Sequence, residues 1–311
     1  MKRLRQFIVV AVFAGACGAG NSLPSVPPLP TSPTPPVGSE SSPPLAAPGS
    51  VAGILIGAGD ISTCKNNNDD ATARLLDGQE GVIFTTGDNV YEDGTIQEFQ
   101  SCYAPTWGRH LGRTRPSPGN HEYNTPGATG YYLYFGANAG PPGLGYYSYD
   151  LAGWHVMSLN SNVGARAGSP QYEWLRADLA ASNATCAVAY WHHPLFSSGD
   201  HGNYSVMRAV WRLLYDNGVE IVISGHDHDY ERFGPQTADG ELDLARGIRS
   251  FVLGTGGRGL DVFKHIQPNS EVRDSSSYGV LKLTLRSGSY DWEFIAAGAS
   301  AFRDSGSGIC R

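Results

Sequence analysis

Four apolar, β-branched runs in this chain are each followed at once by an acid or an imidazole. ILIGAG leads to Asp60, VIFTTG to Asp88, VAYW to His192 and IVISG to His226. Runs of this length and composition read as buried strands. In α/β sheets, ligands collect in the crevice beyond the carboxyl ends of the strands. Four segments from distant parts of the chain therefore bring ionisable or coordinating groups to one sheet edge, which an unrelated scatter of Asp and His has no reason to do.

The rest of the chain fits that frame. WHVMSL at 154–159 and RSFVL at 249–253 read as further strands, and YGVLKLTL and YDWEF alternate like a half-exposed pair. SPQYEWLRADLAAS predicts a helix started by Ser169 and Pro170, with Tyr172, Leu175 and Leu179 on one face. SVMRAVWRLLYDNG predicts another, with Val206, Val210, Leu213 and Leu214 inward and Gly218 as its stop. Strands alternating with helices argue an α/β domain, here one domain over 51–311. The all-β pairs near 146–159 and 278–295 argue a second sheet.

Among 311 residues the net charge is −7 with no long basic run, so nucleic acid is not expected as a partner. Lys2, Arg3 and Arg5 precede an apolar run from Phe7 to Ala16 that is too short to span a bilayer. Residues 1–21 are thus expected to be an export signal. Ala14-Gly15-Ala16-Cys17 has the small residues of a lipoprotein cleavage site but lacks the usual leucine three residues before the cysteine. Secretion, a periplasmic location and membrane anchoring through a lipid on Cys17 all remain open. Residues 22–50 hold half of the 20 prolines and read as a semi-rigid linker. Apart from Cys17, the even set Cys64, Cys102, Cys186 and Cys310 suits an oxidising compartment and allows three pairings.

Short motifs add to the four donors: Tyr91 in GDNVY, Asn120 and His121 in GNHE, and His228 in SGHDH. Singly, such motifs are common in turns. Together, Asp60, Asp88, Tyr91, Asn120, His192, His226 and His228 give two carboxylates, a phenol, an amide and three imidazoles. That mixed oxygen and nitrogen set suits iron, zinc or manganese rather than soft copper or a calcium cage.

This ordered set resembles the calcineurin-like metallophosphoesterases, and within them the purple acid phosphatases, over roughly residues 52–300. The general family begins Asp-x-His, but here the third position is Ser62; the purple acid phosphatases replace that ligand with a tyrosine three residues after the bridging aspartate, where this chain has Tyr91. The resemblance implies a two-sheet α-β-β-α sandwich with a dimetal site at the C-terminal strand ends. It implies that Asp60, Tyr91 and His228 bind the first metal, that Asp88 bridges, and that Asn120, His192 and His226 complete the second. The family's ligand stands two residues before the proline, which selects His192 and leaves His193 as a neighbour. Fe(III) is expected in the first site and divalent Fe, Zn or Mn in the second. His121 is the expected proton donor. His201, nine residues after His192 in SSGDHGN, is a second catalytic candidate, set against an exposed loop histidine. His110, His155 and His265 fit no motif. GTGGRG at 254–259 lacks the Gly-Lys-Ser/Thr ending of a phosphate loop and reads as a turn over the metal face.

The implied reaction is hydrolysis of a phosphate monoester on a small phosphorylated substrate, by attack of metal-bound hydroxide, in an exported acid phosphatase-like enzyme. A phosphodiesterase of the same fold and a non-catalytic surface binding protein are the alternatives. The plant-type members' extra N-terminal β-domain has no counterpart here, so a monomer is expected. Cys64 and Cys102 lie on loops leaving the same metal face, which favours 64–102 and 186–310 among the three pairings.

Overall fold

The computed structural model describes residues 52–311. The expected export signal, proline-rich linker and Cys17 site lie outside the described residues. Two sheets form the centre. One has six strands in the order Asp304–Ile309, Ser289–Ala296, Gly279–Arg286, Gly53–Ala58, Val82–Thr86 and Thr114–Ser117, the last three parallel. The other has seven, in the order Ser270–Asp274, Tyr230–Gln236, Ile248–Leu253, Ile221–Ser224, Cys186–Tyr190, Trp154–Ser158 and Tyr147–Leu151. Its four central strands are parallel.

Alternation along the strands divides the core. Leu55, Phe84, Leu281 and Leu283 of the first sheet share one face and meet Val156, Val188, Ile223 and Phe251 of the second, all fully buried. Met157, Ala189 and Val222 turn the other way, against Leu175 of the Pro170–Ala181 helix and Val210, Trp211 and Leu214 of the Arg208–Asp216 helix. The Asn68–Asp77 helix adds Ala73 and Leu76 to the first sheet's core. Two helical layers thus enclose two sheets, the expected α-β-β-α sandwich. Each fully buried Leu, Ile or Phe contributes roughly 1.5–3 kcal/mol of transfer free energy.

Local signals explain the element boundaries. Ser169 Oγ accepts the Tyr172 N–H at 3.4 Å with Pro170 in the first turn. Val206 departs from expectation: it lies in a 3₁₀ turn, Ser205–Met207, before the second helix and is 47% exposed. Two sheets rather than one open sheet are present, as expected, and each takes one of the two hairpins. Tyr147–Leu151 with Trp154–Ser158 flanks one sheet, while Gly279–Arg286 with Ser289–Ala296 belongs to the other. The disulfides are Cys64–Cys102 and Cys186–Cys310, with Cα atoms 5.3 and 5.4 Å apart. Among the described residues, no helix is long and apolar enough to cross a membrane.

Candidate metal centre

Five of the seven candidate ligands sit two or three residues beyond parallel strand ends. Asp60 follows Gly53–Ala58, Asp88 follows Val82–Thr86, Asn120 follows Thr114–Ser117, His192 follows Cys186–Tyr190 and His226 follows Ile221–Ser224. Tyr91 closes the short strand Val90–Tyr91, which pairs with Ser62–Thr63. Asp60, Asp88 and His226 adopt left-handed φ of 58°, 47° and 73°, which turns their side chains back over the sheet edge. Two glycines let these loops meet. A Cβ on Gly119 would lie 2.1 Å from Asp88 Oδ1, and one on Gly225 would lie 2.6 Å from Asp60 Oδ2. Ser62, where the general family has histidine, is fully buried and donates its hydroxyl to Asp69 at 2.6 Å.

The donor atoms gather into two adjoining groups. In the first, Tyr91 Oη lies 2.7 Å from Asp60 Oδ1 and 3.2 Å from His228 Nε2, with His228 Nε2 3.4 Å from Asp60 Oδ1. In the second, His192 Nε2 lies 2.9 Å from Asn120 Oδ1, 3.1 Å from His226 Nδ1 and 3.3 Å from Asp88 Oδ2. Ligands about 2.1 Å from one cation stand roughly 3.0–3.4 Å apart. The residues therefore fit one ion in each group. Asp60, Asp88 and His192 donors all lie within 4.8 Å of one another, so the groups meet at the Asp88 carboxylate.

Hydrogen bonds aim the rings. His192 Nδ1 donates to Thr86 O at 2.8 Å, and His228 Nδ1 faces Asp261 Oδ2 at 3.2 Å, so each presents Nε2 inward. Burial opposes ionisation of Asp88, but His192 and His121, by charge and hydrogen bond together, outweigh it and hold the carboxyl well below its usual range. Burial pulls His192 down, but the charge and hydrogen bond of Asp88, the Asp60 charge and the bond to Thr86 O together outweigh it, pushing His192 up to about 9. Burial and then the charges of Asp60 and Asp88 keep the Tyr91 proton on far above the phenol's ordinary range. Burial and the neighbouring imidazoles hold His226 far below its ordinary value. Tyr91 Oη, 2.7 Å from Asp60 Oδ1, and His192 Nε2, 2.9 Å from Asn120 Oδ1, thus face the spaces that cations would take over, because the same lone pairs converge there.

The other histidines separate clearly. His121 is half-buried; its Nδ1 donates to Glu92 O at 2.6 Å and its Nε2 lies 3.9 Å from Asp88 Oδ2. His201 is exposed and stacks on His226, with ring centroids 4.3 Å apart. His193 is buried beside His226, with Nδ1 on Ser161 Oγ at 2.8 Å, and burial followed by the His192 charge takes it down to about 3. His155 is buried far from this group, between Asp150 at 3.0 Å and Asp178 at 2.7 Å. The 254–259 turn lies along the Asp60 segment through Gly256 N–H to Gly59 O and Arg258 N–H to Asp60 O.

Sequence reasoning missed several supporting residues. The fully buried Glu122 carboxylate accepts four backbone N–H groups, from Asp88, Asn89, Val90 and Gly119, tying two donor loops together. Burial and the Asp88 charge push it up to about 7. Its position two residues after Asn120 was the available signal. Arg258 lies over the Tyr91 ring, 4.9 Å from its centroid, and pairs with Glu92.

The family model for calcineurin-like phosphoesterases matches residues 55–230. The chain belongs to that family. Among curated relatives of this phosphoesterase, purple acid phosphatase 15 of Arabidopsis thaliana is 29% identical over 251 residues, covering 69% of this chain and 47% of the relative. Purple acid phosphatase 21 of the same plant is 38% identical over 149 residues, covering 44% and 34%. The chain spans less than half the length of these relatives. Two solved structures share the fold. Purple acid phosphatase PPD1 from yellow lupin superposes with a TM-score of 0.69 at 18% identity, covering 83% of this chain and 54% of that one. GAP50, the anchor in the inner membrane complex of Plasmodium, gives 0.66 at 14% identity, covering 84% and 89%.

Proposed function

We propose that this chain is an exported dimetal phosphoesterase that hydrolyses phosphate monoesters in the manner of an acid phosphatase. The observation that carries this reading is the convergence of seven donors into two adjoining groups at cation-ligand spacing. Asp60, Tyr91 and His228 would hold one ion, Asn120, His192 and His226 the other, with Asp88 shared. The anionic first set favours Fe(III) and the neutral second set a divalent Fe, Zn or Mn. When bound, such a pair neutralises phosphoryl oxygens and lowers the pKa of a coordinated water.

The chain's own side chains supply the rest. With Nδ1 committed to Glu92 O, His121 offers Nε2 to the cleft, where it protonates the departing oxygen. His201, stacked on His226, contacts phosphoryl oxygens from the other side. The small phosphorylated substrate is drawn by the cations, since the chain's own net charge is −7. The two disulfides support export to an oxidising compartment. Residues 1–21 as signal, 22–50 as linker and 51–311 as the catalytic unit complete the proposed organisation.

Metal analysis and a panel of phosphate monoesters and diesters on one purified sample test the reading. Asp88→Asn and His226→Ala should each cut bound metal and remove most turnover with the circular dichroism spectrum kept. Full turnover in either variant would sink the site assignment. A preference for diesters would replace the monoester reading with the phosphodiesterase one, and a metal-loaded protein inert to every ester would leave a binding role.

A further inference from the structure

His226-Asp227-His228-Asp229 alternates imidazoles with carboxylates, and Tyr230 and a further acid, Glu231, follow. Residues 226–229 bend rather than extend, with Asp227 N–H donating to Gly225 O and Asp229 N–H to Asp227 O, both at 2.9 Å. His226 and His228 serve the donor groups. Asp227 and Glu231, both fully buried, turn to the loop that carries His201.

That loop, 191–204, contains no strand or helix. Its backbone is tied to those two acids. His201 N–H donates to Asp227 Oδ1 at 2.7 Å and Gly202 N–H to Asp227 Oδ2 at 3.2 Å. Ser198 gives its N–H and its hydroxyl to Glu231 at 2.7 and 2.5 Å. Gly199 passes so close that a Cβ there would lie 2.4 Å from Asp227 Cγ. On the far side, Lys264 N–H donates to Ser198 O at 2.9 Å. Asp227 is thus bonded to the amide of the residue whose ring stacks on His226. Bonds from neutral N–H groups to a carboxylate are among the stronger ones available to a loop.

We propose that Asp227 is a positioning residue: its carboxylate fixes the His201 backbone so that the imidazole stays over the second donor group, and recognition of a phosphoryl group by His201 depends on that tie. The proposal rests on the reading of His201 as a substrate contact. Asp227 touches neither substrate nor metal, so its loss should change phosphate recognition and leave the donor groups intact.

The test is the affinity of the full-length, metal-loaded protein for inorganic phosphate, by calorimetry, in wild type, Asp227→Asn, His201→Ala and the double variant, with metal content measured in each. An asparagine keeps one acceptor and turns an NH₂ on the other N–H. Losing a hydrogen bond to a charged group costs about 10- to 100-fold in affinity, so Asp227→Asn should weaken phosphate binding by about 10- to 100-fold with metal retained. The double variant should bind no worse than His201→Ala alone, because the two residues act as one. Amide exchange over 197–203 should quicken in Asp227→Asn and not in His201→Ala. Gly199→Ala, which pushes the loop off the same carboxylate, should reproduce the affinity loss and serves if Asp227→Asn fails to fold. Unchanged affinity in Asp227→Asn, multiplied effects in the double variant, or wild-type affinity in His201→Ala would each overturn the proposal. If phosphate binds as described but no ester is turned over, the phosphoesterase reading fails and the positioning role stands.

Discussion

Replacing Glu122 with glutamine isolates what holds the donor loops together. The carboxylate is fully buried; Oε2 accepts from Asp88 N–H at 3.0 Å and Gly119 N–H at 2.6 Å, and Oε1 from Asn89 N–H at 2.8 Å and Val90 N–H at 3.3 Å. Glutamine keeps the volume but has one acceptor oxygen. Whichever way the amide turns, two of the four N–H groups face an NH₂. Each buried donor left without an acceptor costs about 1–3 kcal/mol, so the gross loss is about 2–6 kcal/mol. Glutamine also removes a buried charge. Burial and Asp88 push Glu122 up to about 7 from an ordinary 4.5, a penalty on the ionised form of about 3 kcal/mol. In metal-free protein the two effects largely offset, and the variant should unfold within a few degrees of wild type. Cations beside Asp88 screen its charge, the offset shrinks, and the lost acceptors show. Metal-loaded Glu122→Gln should therefore melt about 6–12 °C below metal-loaded wild type, at about 2–4 °C for each kcal/mol. Calorimetric melts with and without chelator read both differences. A variant destabilised as much without metal as with it would refute the argument.

Tyr91→Phe should remove any visible phenolate-to-iron absorption from protein loaded with Fe(III); a band that survives the substitution would show that Tyr91 is not the ligand responsible. Non-reduced peptide mapping should recover only 64–102 and 186–310. Loss of either bond should cost about 2–5 kcal/mol in denaturant unfolding, more for 186–310, whose loop of 124 residues exceeds the other's 38; equal or inverted losses would contradict the chain-entropy account. His155, held by Asp178 and Asp150 against burial, has a raised pKa, and Asp178, despite burial, a lowered one. Such a pair stabilises below the unfolded histidine's pKa of about 6.5 and fades as pH rises through the folded value. Wild type should exceed His155→Gln by about 1 kcal/mol near pH 6 and lose that margin towards pH 9. A margin that grows with pH would exclude the pair as its source.

The donor ends of the strands were legible because ILIGA, VIFTT, CAVAY and IVIS are apolar runs with an obvious stop. The strand before Asn120 was not: Thr114–Ser117 reads TRPS, polar and interrupted by Pro116, and it pairs only with Val82–Thr86 at a sheet edge. Asp304–Ile309 was hidden for a related reason. Its Gly306 and Gly308 carry no β signal, yet glycine is what lets the strand lie against the rings of Trp292 and Tyr290, where a Cβ would come within 2.2 and 2.3 Å. Tyr230–Gln236 mixes charges with Pro235 and pairs with a register shift. At the site, residues that would touch a metal announced themselves by type and spacing. Those that hold them, Glu122 and Asp227, act through backbone amides, and a sequence does not display which amides lie near which carboxylate.

The left-handed backbone at Asp60, Asp88 and His226 sets two demands against each other. A non-glycine residue held in that conformation costs about 1–3 kcal/mol, and glycine would relieve it at all three positions. Heat tolerance and chemistry therefore select different residues there. A lineage or laboratory screen that rewards survival at high temperature without asking for turnover would drift towards glycine at these points. On the proposed ligand roles, it would arrive at a hardier protein that no longer holds its metals.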